Sequence, residues 1–135
     1  MRNYKLLNFK VNGNEMGKLV AIEGLNQIPF EIKRIFYIYG VKGDAVRGRH
    51  SNRNSEFVMI NVKGSADIRL HDGNKEHIVN LSKPNEGLYI PKLMWKDMYN
   101  FSDDCVMLVL SSEVYDENEY IRDFDEFLKE VSKNE

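Results

Sequence analysis

Between residues 4 and 111 the chain is a succession of short β-type runs cut by turn residues, with no helical pattern between them. That spacing argues against a parallel α/β sheet, whose neighbouring strands need long, usually helical, crossovers. Strands are predicted near 4–10, 18–23, 32–39, 56–62, 65–71, 76–81, 87–90, 94–100 and 105–111. Asp72-Gly73 marks a tight hairpin, because φ > 0 is cheap there. The run from Lys83 through Pro84 to Gly87 marks another reversal. Residues 65–71 alternate, with Ala66, Ile68 and Leu70 on one face and Asp67, Arg69 and His71 on the other, as in a half-buried antiparallel strand.

The period changes after Tyr115. Tyr120, Ile121, Phe124, Phe127, Leu128 and Val131 fall on one stripe at spacings of three and four, which predicts a helix over Glu117–Ser132. Many short strands with one closing helix predict an all-β fold: an antiparallel β-barrel or jelly roll carrying one C-terminal α-helix. A small barrel either fills its interior with side chains or holds one small ligand there.

At 135 residues, without linker, repeat or low-complexity tract, the expectation is a single domain spanning 1–135. The 19 Lys plus Arg against 21 Asp plus Glu leave no basic excess to draw the chain to nucleic acid or an anionic membrane. No apolar run approaches the ~20 residues of a membrane span. The N-terminal residues lack the apolar core of a signal peptide, so a cytoplasmic location is expected. The single cysteine, Cys105, cannot form an intrachain disulfide, and its apolar surroundings predict a buried, inert thiol.

Val46 to Glu56 reads as a turn between β-rich segments that presents cations, a flexible Gly48, the proton-transfer residue His50 and the carboxylate of Glu56. Small β-barrels of the cupin class carry a related motif, with two His one residue apart on a strand and a Glu beyond them sharing a metal. Here Asn52 stands at the second His, and Met94-Trp95-Lys96 replaces the late third one. His50 and Glu56 alone make a poor transition-metal site, so neither a bound metal nor another cofactor is expected. His71 and His77 flank the Asp72-Gly73 hairpin and are expected to be solvent-exposed.

Three segments give a more specific resemblance: Arg47-Gly48-Arg49-His50, Gly87-Leu88-Tyr89-Ile90-Pro91 with Trp95, and Tyr115 through Phe127. Together they resemble the sugar 3,4-ketoisomerases, the WxcM-like cupin enzymes acting on dTDP-4-keto-6-deoxyglucose. The similarity extends over nearly the whole chain. It implies a metal-free jelly roll, a homodimer with exchanged N-terminal strands, and a dTDP-linked 4-keto-6-deoxyhexose as substrate. It also implies movement of the keto group from C4 to C3 by proton transfer, which prepares 3-amino sugars for surface polysaccharide.

By the same resemblance His50, Tyr37 and the residue at Asn52 face the sugar. Asn52 can hydrogen-bond a sugar oxygen but cannot take up a proton. Arg34 and Arg47 are the expected pyrophosphate contacts, since guanidinium forks match phosphate oxygens. An edge salt bridge is the other reading of Arg34. Trp95 is expected to line the cavity, and Tyr89 to be either a ligand contact or a core aromatic. Alternation places Ile35, Tyr37 and Tyr39 on one face of their strand and Phe36 and Ile38 on the other, which leaves Tyr37 open between core and site. Glu56 either orients His50 or ends a strand. Met16 and Lys96 stand where gluco- and galacto-product enzymes differ. Two further readings stay open: a dTDP-sugar-binding protein that has lost its chemistry at Asn52, and a C3/C5 epimerase.

Overall fold

The computed structural model describes residues 3–134. In chain order the strands are β1 (Lys5–Asn8), β2 (Asn12–Asn14), β3 (Gly17–Leu19), β4 (Arg34–Tyr39), β5 (Arg47–Asn52), β6 (Phe57–Lys63), β7 (Ala66–His71), β8 (Glu76–Leu81), β9 (Glu86–Ile90), β10 (Trp95–Tyr99), β11 (Val106–Ser111) and β12 (Tyr120–Ile121), before the helix α1 (Phe124–Lys133). Among the described residues they form two five-stranded antiparallel sheets, ordered β1-β9-β6-β11-β4 and β12-β5-β10-β7-β8, and a separate β2–β3 hairpin. The result is a jelly roll with one C-terminal helix, as the run of short strands predicted.

The core lies between the sheets. Phe57, Met59, Leu88, Met107 and Val109 from the first meet Ala66, Ile68, Leu70, Leu81 and Met98 from the second. The expected face of β7 is therefore the buried one. The outer face of each sheet is also covered over part of its area. Ile28 and Phe30, in the segment between β3 and β4, pack with Phe9 on Val58, Ile60 and Leu110 of the first sheet. Covering on both sides explains why residues 57–61 are all buried rather than alternating. On the second sheet, Phe127 and Val131 of α1 pack with Leu93 and Ile121. Cys105 is buried as expected, its Sγ 3.4 Å from Asn61 Oδ1, and burial raises its pKa.

Three local expectations change. Residues 47–52 form strand β5 rather than a turn, paired with β10 on one side and β12 on the other. The predicted helix over Glu117–Ser132 divides: Glu117–Glu119 is one 3-10 turn, Tyr120–Ile121 joins the sheet as β12, and α1 starts at Phe124. Asp123 caps α1, accepting a hydrogen bond from the Glu126 N–H at 3.0 Å. His71 and His77 are half-buried rather than exposed. The His71 ring meets Phe124 edge-on with centroids 5.0 Å apart, and His77 approaches the Tyr4 hydroxyl at 3.5 Å.

Candidate active site

Strand β5 carries a bulge. Its register with β10 shifts, so that Lys96 opposes His50 while Asp97 opposes Gly48, leaving Arg49 as the extra residue. Gly48 has φ +90° and Arg49 φ +59°. A Cβ at Gly48 would sit 2.8 Å from the Lys96 carbonyl oxygen, so the glycine is needed for both its conformation and its lack of side chain. The bulge puts Gly48 and His50 together on the wall of an inner cavity while Arg49 joins the outer groove of the second sheet.

That inner cavity has a volume of about 120 Å³ and is lined by Arg34, Phe36 and Ile38 of β4, His50 and Arg47 of β5, and Lys96 of β10, with Phe57, Met98 and Tyr120 among its apolar and aromatic walls. It is smaller than pockets that enclose a whole drug-sized ligand. Arg34 and Arg47 bring two guanidinium groups to its lining, beside His50 and Lys96. The Arg34 guanidinium is stacked 4.5 Å from the Phe36 ring centroid and 5.0 Å from that of Tyr115.

His50 Nδ1 lies 3.0 Å from the Gly48 carbonyl oxygen. Because a carbonyl only accepts, Nδ1 carries the hydrogen and Nε2 keeps its lone pair. The Tyr120 ring meets the imidazole edge-on at 4.8 Å. Burial, then the charge of Lys96, lower the His50 pKa to about 4, with Arg122 adding a smaller push and the Gly48 hydrogen bond opposing. At neutral pH the ring is an uncharged base.

Lys96 is 2% exposed and Asn52 1% exposed. The Lys96 Nζ donates to Asn52 Oδ1 at 3.0 Å and lies 4.9 Å from the Phe57 ring centroid. Burial lowers the Lys96 pKa to about 7, Glu119 acting the other way. The Glu119 carboxylate is itself held by the Asn54 and Ser55 backbone N–H groups at 2.9 and 2.8 Å and by the Ser55 hydroxyl. With Oδ1 turned to the lysine, the Asn52 Nδ2 is a buried donor without a hydrogen-bond partner. Among the described residues no three His, Cys, Asp or Glu side chains gather into a metal-binding group.

The remaining expected site residues lie elsewhere in the chain, for reasons of strand parity. Arg34 and Tyr37 are three apart on β4 and cannot share a face; Phe36 and Ile38 point inward with Arg34, while Tyr37 is 64% exposed. Trp95 and Lys96 are adjacent on β10, so only one can face the cavity. Trp95 faces outward instead of lining it, packed on Phe124 and Phe127 with centroids 5.3 and 5.8 Å away. Tyr89 is on the outer face of its sheet, where its hydroxyl donates to Glu56 Oε1 at 2.5 Å. Glu56 thus engages Tyr89, not His50. Met16, at the tip of the β2–β3 hairpin, is 90% exposed. Phe36, Ile38 and Tyr120 were not singled out from the sequence, although parity with Arg34 was enough to indicate the first two.

A jelly roll enclosing an uncharged imidazole, a buried amine and a guanidinium rim defines a small-molecule site suited to proton transfer on an anionic ligand. The chain matches the family described as FdtA: WxcM-like, C-terminal, over residues 2–132, and belongs to that family. It is 44% identical over 129 residues, 96% of this chain and 93% of the other, to a TDP-4-oxo-6-deoxy-alpha-D-glucose-3,4-oxoisomerase of Aneurinibacillus thermoaerophilus. A crystal structure of a 3,4-ketoisomerase from Helicobacter canadensis superposes with TM-score 0.94 at 49% identity, covering 98% of this chain and 99% of that one. The sugar 3,4-ketoisomerase QdtA of Thermoanaerobacterium thermosaccharolyticum, solved in complex with TDP, gives TM-score 0.95 at 44% identity, covering 98% and 96%.

Proposed function

We propose that the protein is a dTDP-sugar 3,4-ketoisomerase, converting dTDP-4-keto-6-deoxyglucose to the 3-keto-6-deoxyhexose. The observation that carries this reading is His50: an imidazole uncharged at neutral pH, its Nδ1 tied to Gly48, on the wall of an inner cavity that also holds Lys96, Arg34 and Arg47. Near-full-length relatives whose names state this isomerisation support it. The C4 ketone acidifies the C3 hydrogen, His50 Nε2 removes it, and reprotonation at C4 leaves the ketone at C3. General acid–base help of this kind is worth about 10²–10⁴ in rate. Asn52 lies behind the cavity lining, where its Oδ1 holds the Lys96 amine and its Nδ2 has no partner; Arg34 and Arg47, which do line the cavity, receive the pyrophosphate.

The same reading places the reaction before an aminotransferase making 3-amino sugars for surface polysaccharide such as lipopolysaccharide, in the cytoplasm. It includes a homodimer that exchanges N-terminal strands. In the structure β1 pairs with β9 of its own chain, while the exposed β2–β3 hairpin, which lies outside both main sheets and carries Met16 at its tip, offers apolar surface for the contact between subunits.

The test is to incubate the protein with dTDP-4-keto-6-deoxyglucose and follow the sugar by carbon-13 NMR. A ketone moving from C4 to C3 is the expected result, with proton couplings giving the product configuration. One observation favours a second reading: Asn52 cannot carry a proton. TDP binding without any change in the sugar would therefore identify a non-catalytic binding protein and sink the isomerase reading.

A further inference from the structure

We infer that Lys96 is the second proton-carrying group of this cavity, working with His50 at a site where Asn52 can carry none. The inference rests on the ketoisomerase reading above and extends it to a residue that a pyrophosphate- or sugar-binding role does not explain. Its basis is placement. Lys96 opposes His50 across the β5–β10 pairing, lines the same cavity, and has its amine aimed by the 3.0 Å bond to Asn52 Oδ1. A lysine kept only for its charge is ordinarily paired with a carboxylate or extended into water. Lys96 does neither: among the described residues no carboxylate lies within ion-pair distance, and the side chain is buried against Phe57.

The charged and titratable groups around it are His50 and Arg47 from β5, Arg34 from β4, Tyr120 from β12, and Glu119 and Arg122 on either side of β12. Three of these are guanidinium cations, and the one carboxylate is already held by Asn54 and Ser55. Burial lowers the pKa of the amine to about 7, far below the ordinary lysine range, with Glu119 acting the other way.

The steps balance without an added reactant. His50 Nε2 takes the C3 hydrogen as a proton while the Lys96 ammonium gives one to the C4 carbonyl oxygen, forming the enediol. The imidazolium then protonates C4 as the O3 hydroxyl returns its proton to the Lys96 amine, leaving the ketone at C3 and both side chains as they began. The two groups assist each other electrostatically. The Lys96 charge depresses His50 basicity, so losing that charge to the substrate makes His50 a stronger base at the moment it must accept a proton.

The test compares wild type, Lys96→Arg and Lys96→Met with dTDP-4-keto-6-deoxyglucose from pH 6 to 8.5, with calorimetric TDP binding as the control for an intact site. Arginine keeps a cation but cannot give up its proton. In the expected result both variants bind TDP, both lose about 10²-fold or more in kcat, and both lack a wild-type ionisation near pH 7. Lys96→Arg turnover within about threefold of wild type would overturn the inference, because a fixed charge would then suffice. If Lys96→Arg fails to bind TDP, the wild-type profile decides: an ionisation near 7 that disappears in Lys96→Met supports proton carriage, and a flat profile overturns it. A wild-type protein that binds TDP but leaves the sugar unchanged overturns the ketoisomerase reading and this inference together; an active wild type with an active Lys96→Arg overturns only the latter.

Discussion

Lys96 and His50 show what burial does to two bases placed side by side. Each loses solvent, each is pushed toward its neutral form, and the charge of one lowers the proton affinity of the other. The stability consequence of Lys96 has a definite sign. Its pKa falls from 10.5 in the unfolded chain to about 7 in the fold, so between those values the unfolded state holds more protons. Stability should then rise from pH 7 toward pH 10.5, while below pH 7 both states hold the proton and this group adds no further pH dependence. The cost of burying the amine at pH 7 is on the order of 4 kcal/mol, against about 1–3 kcal/mol for leaving Asn52 Oδ1 without its donor. Lys96→Met is therefore expected to be more stable than wild type at pH 7, with a smaller rise in stability up to pH 9. Urea unfolding of both proteins across that range checks it; parallel pH profiles would contradict the buried-amine description. The residue types at this site were legible in the sequence, since His50, Asn52, Lys96, Arg34 and Arg47 could all be named. Their pairing was not, because Lys96 and Asn52 are 44 positions apart and meet only through sheet packing.

At the scale of elements, period and parity explain both what could be read and what could not. Strands β4, β6 and β11, rich in β-branched or aromatic residues, the alternating β7 and the β7–β8 hairpin turn carry clear signals. Strand β5 does not: Arg-Gly-Arg-His-Ser-Asn has little β preference and becomes a strand because β10 and β12 supply partners on both sides. The bulge at Gly48–Arg49 likewise depends on β10. The early helix prediction came from Tyr120 and Ile121, whose spacing fits a helical stripe and equally a buried strand. The Asp123…Glu126 capping pair was the better marker of the helix start. Strand parity separates two pairs of candidate residues: Arg34 and Tyr37 on β4, and Trp95 and Lys96 on β10, occupy opposite faces of their strands. The bulge yields a direct prediction. Gly48→Ala must hold φ near +90° and place a methyl 2.8 Å from the Lys96 carbonyl oxygen. It should cost about 1–3 kcal/mol and reduce turnover more than TDP binding, because it displaces the Gly48 carbonyl that orients His50. Thermal unfolding and steady-state kinetics on the same preparation check both parts.

The whole molecule carries a net charge of −2, yet Arg34, Arg47 and Lys96 line its inner cavity and Arg122 lies close enough to influence His50. Local cations on a slightly acidic protein favour an anionic ligand at this one opening. TDP affinity should therefore fall as ionic strength rises from 0.05 to about 0.5 M, and Arg47→Ala should flatten that dependence; calorimetry at several salt concentrations measures it. Exposed apolar surface is where the proposed homodimer would make its contact. The β2–β3 hairpin exposes Met16 and Leu19, and the outer face of β4 exposes Ile35, Tyr37 and Tyr39. Light scattering after size exclusion should give twice the chain mass for wild type and a shift toward one chain for Leu19→Asp. An unchanged mass would remove the hairpin from the interface.

These properties converge on one proposed chemical event, transfer of a hydrogen between adjacent sugar carbons beside residue 50. The most direct measurement is the proton NMR spectrum of dTDP-4-keto-6-deoxyglucose incubated in deuterated water with wild type and with His50→Asn. The expected spectrum for wild type gains the signals of the 3-keto sugar and retains the C5 hydrogen, while His50→Asn binds TDP but converts the sugar about 10²–10⁴ times more slowly. Equal conversion by the two proteins, or exchange at C5 without movement of the ketone, would contradict the assignment of this cavity to ketone transposition through His50.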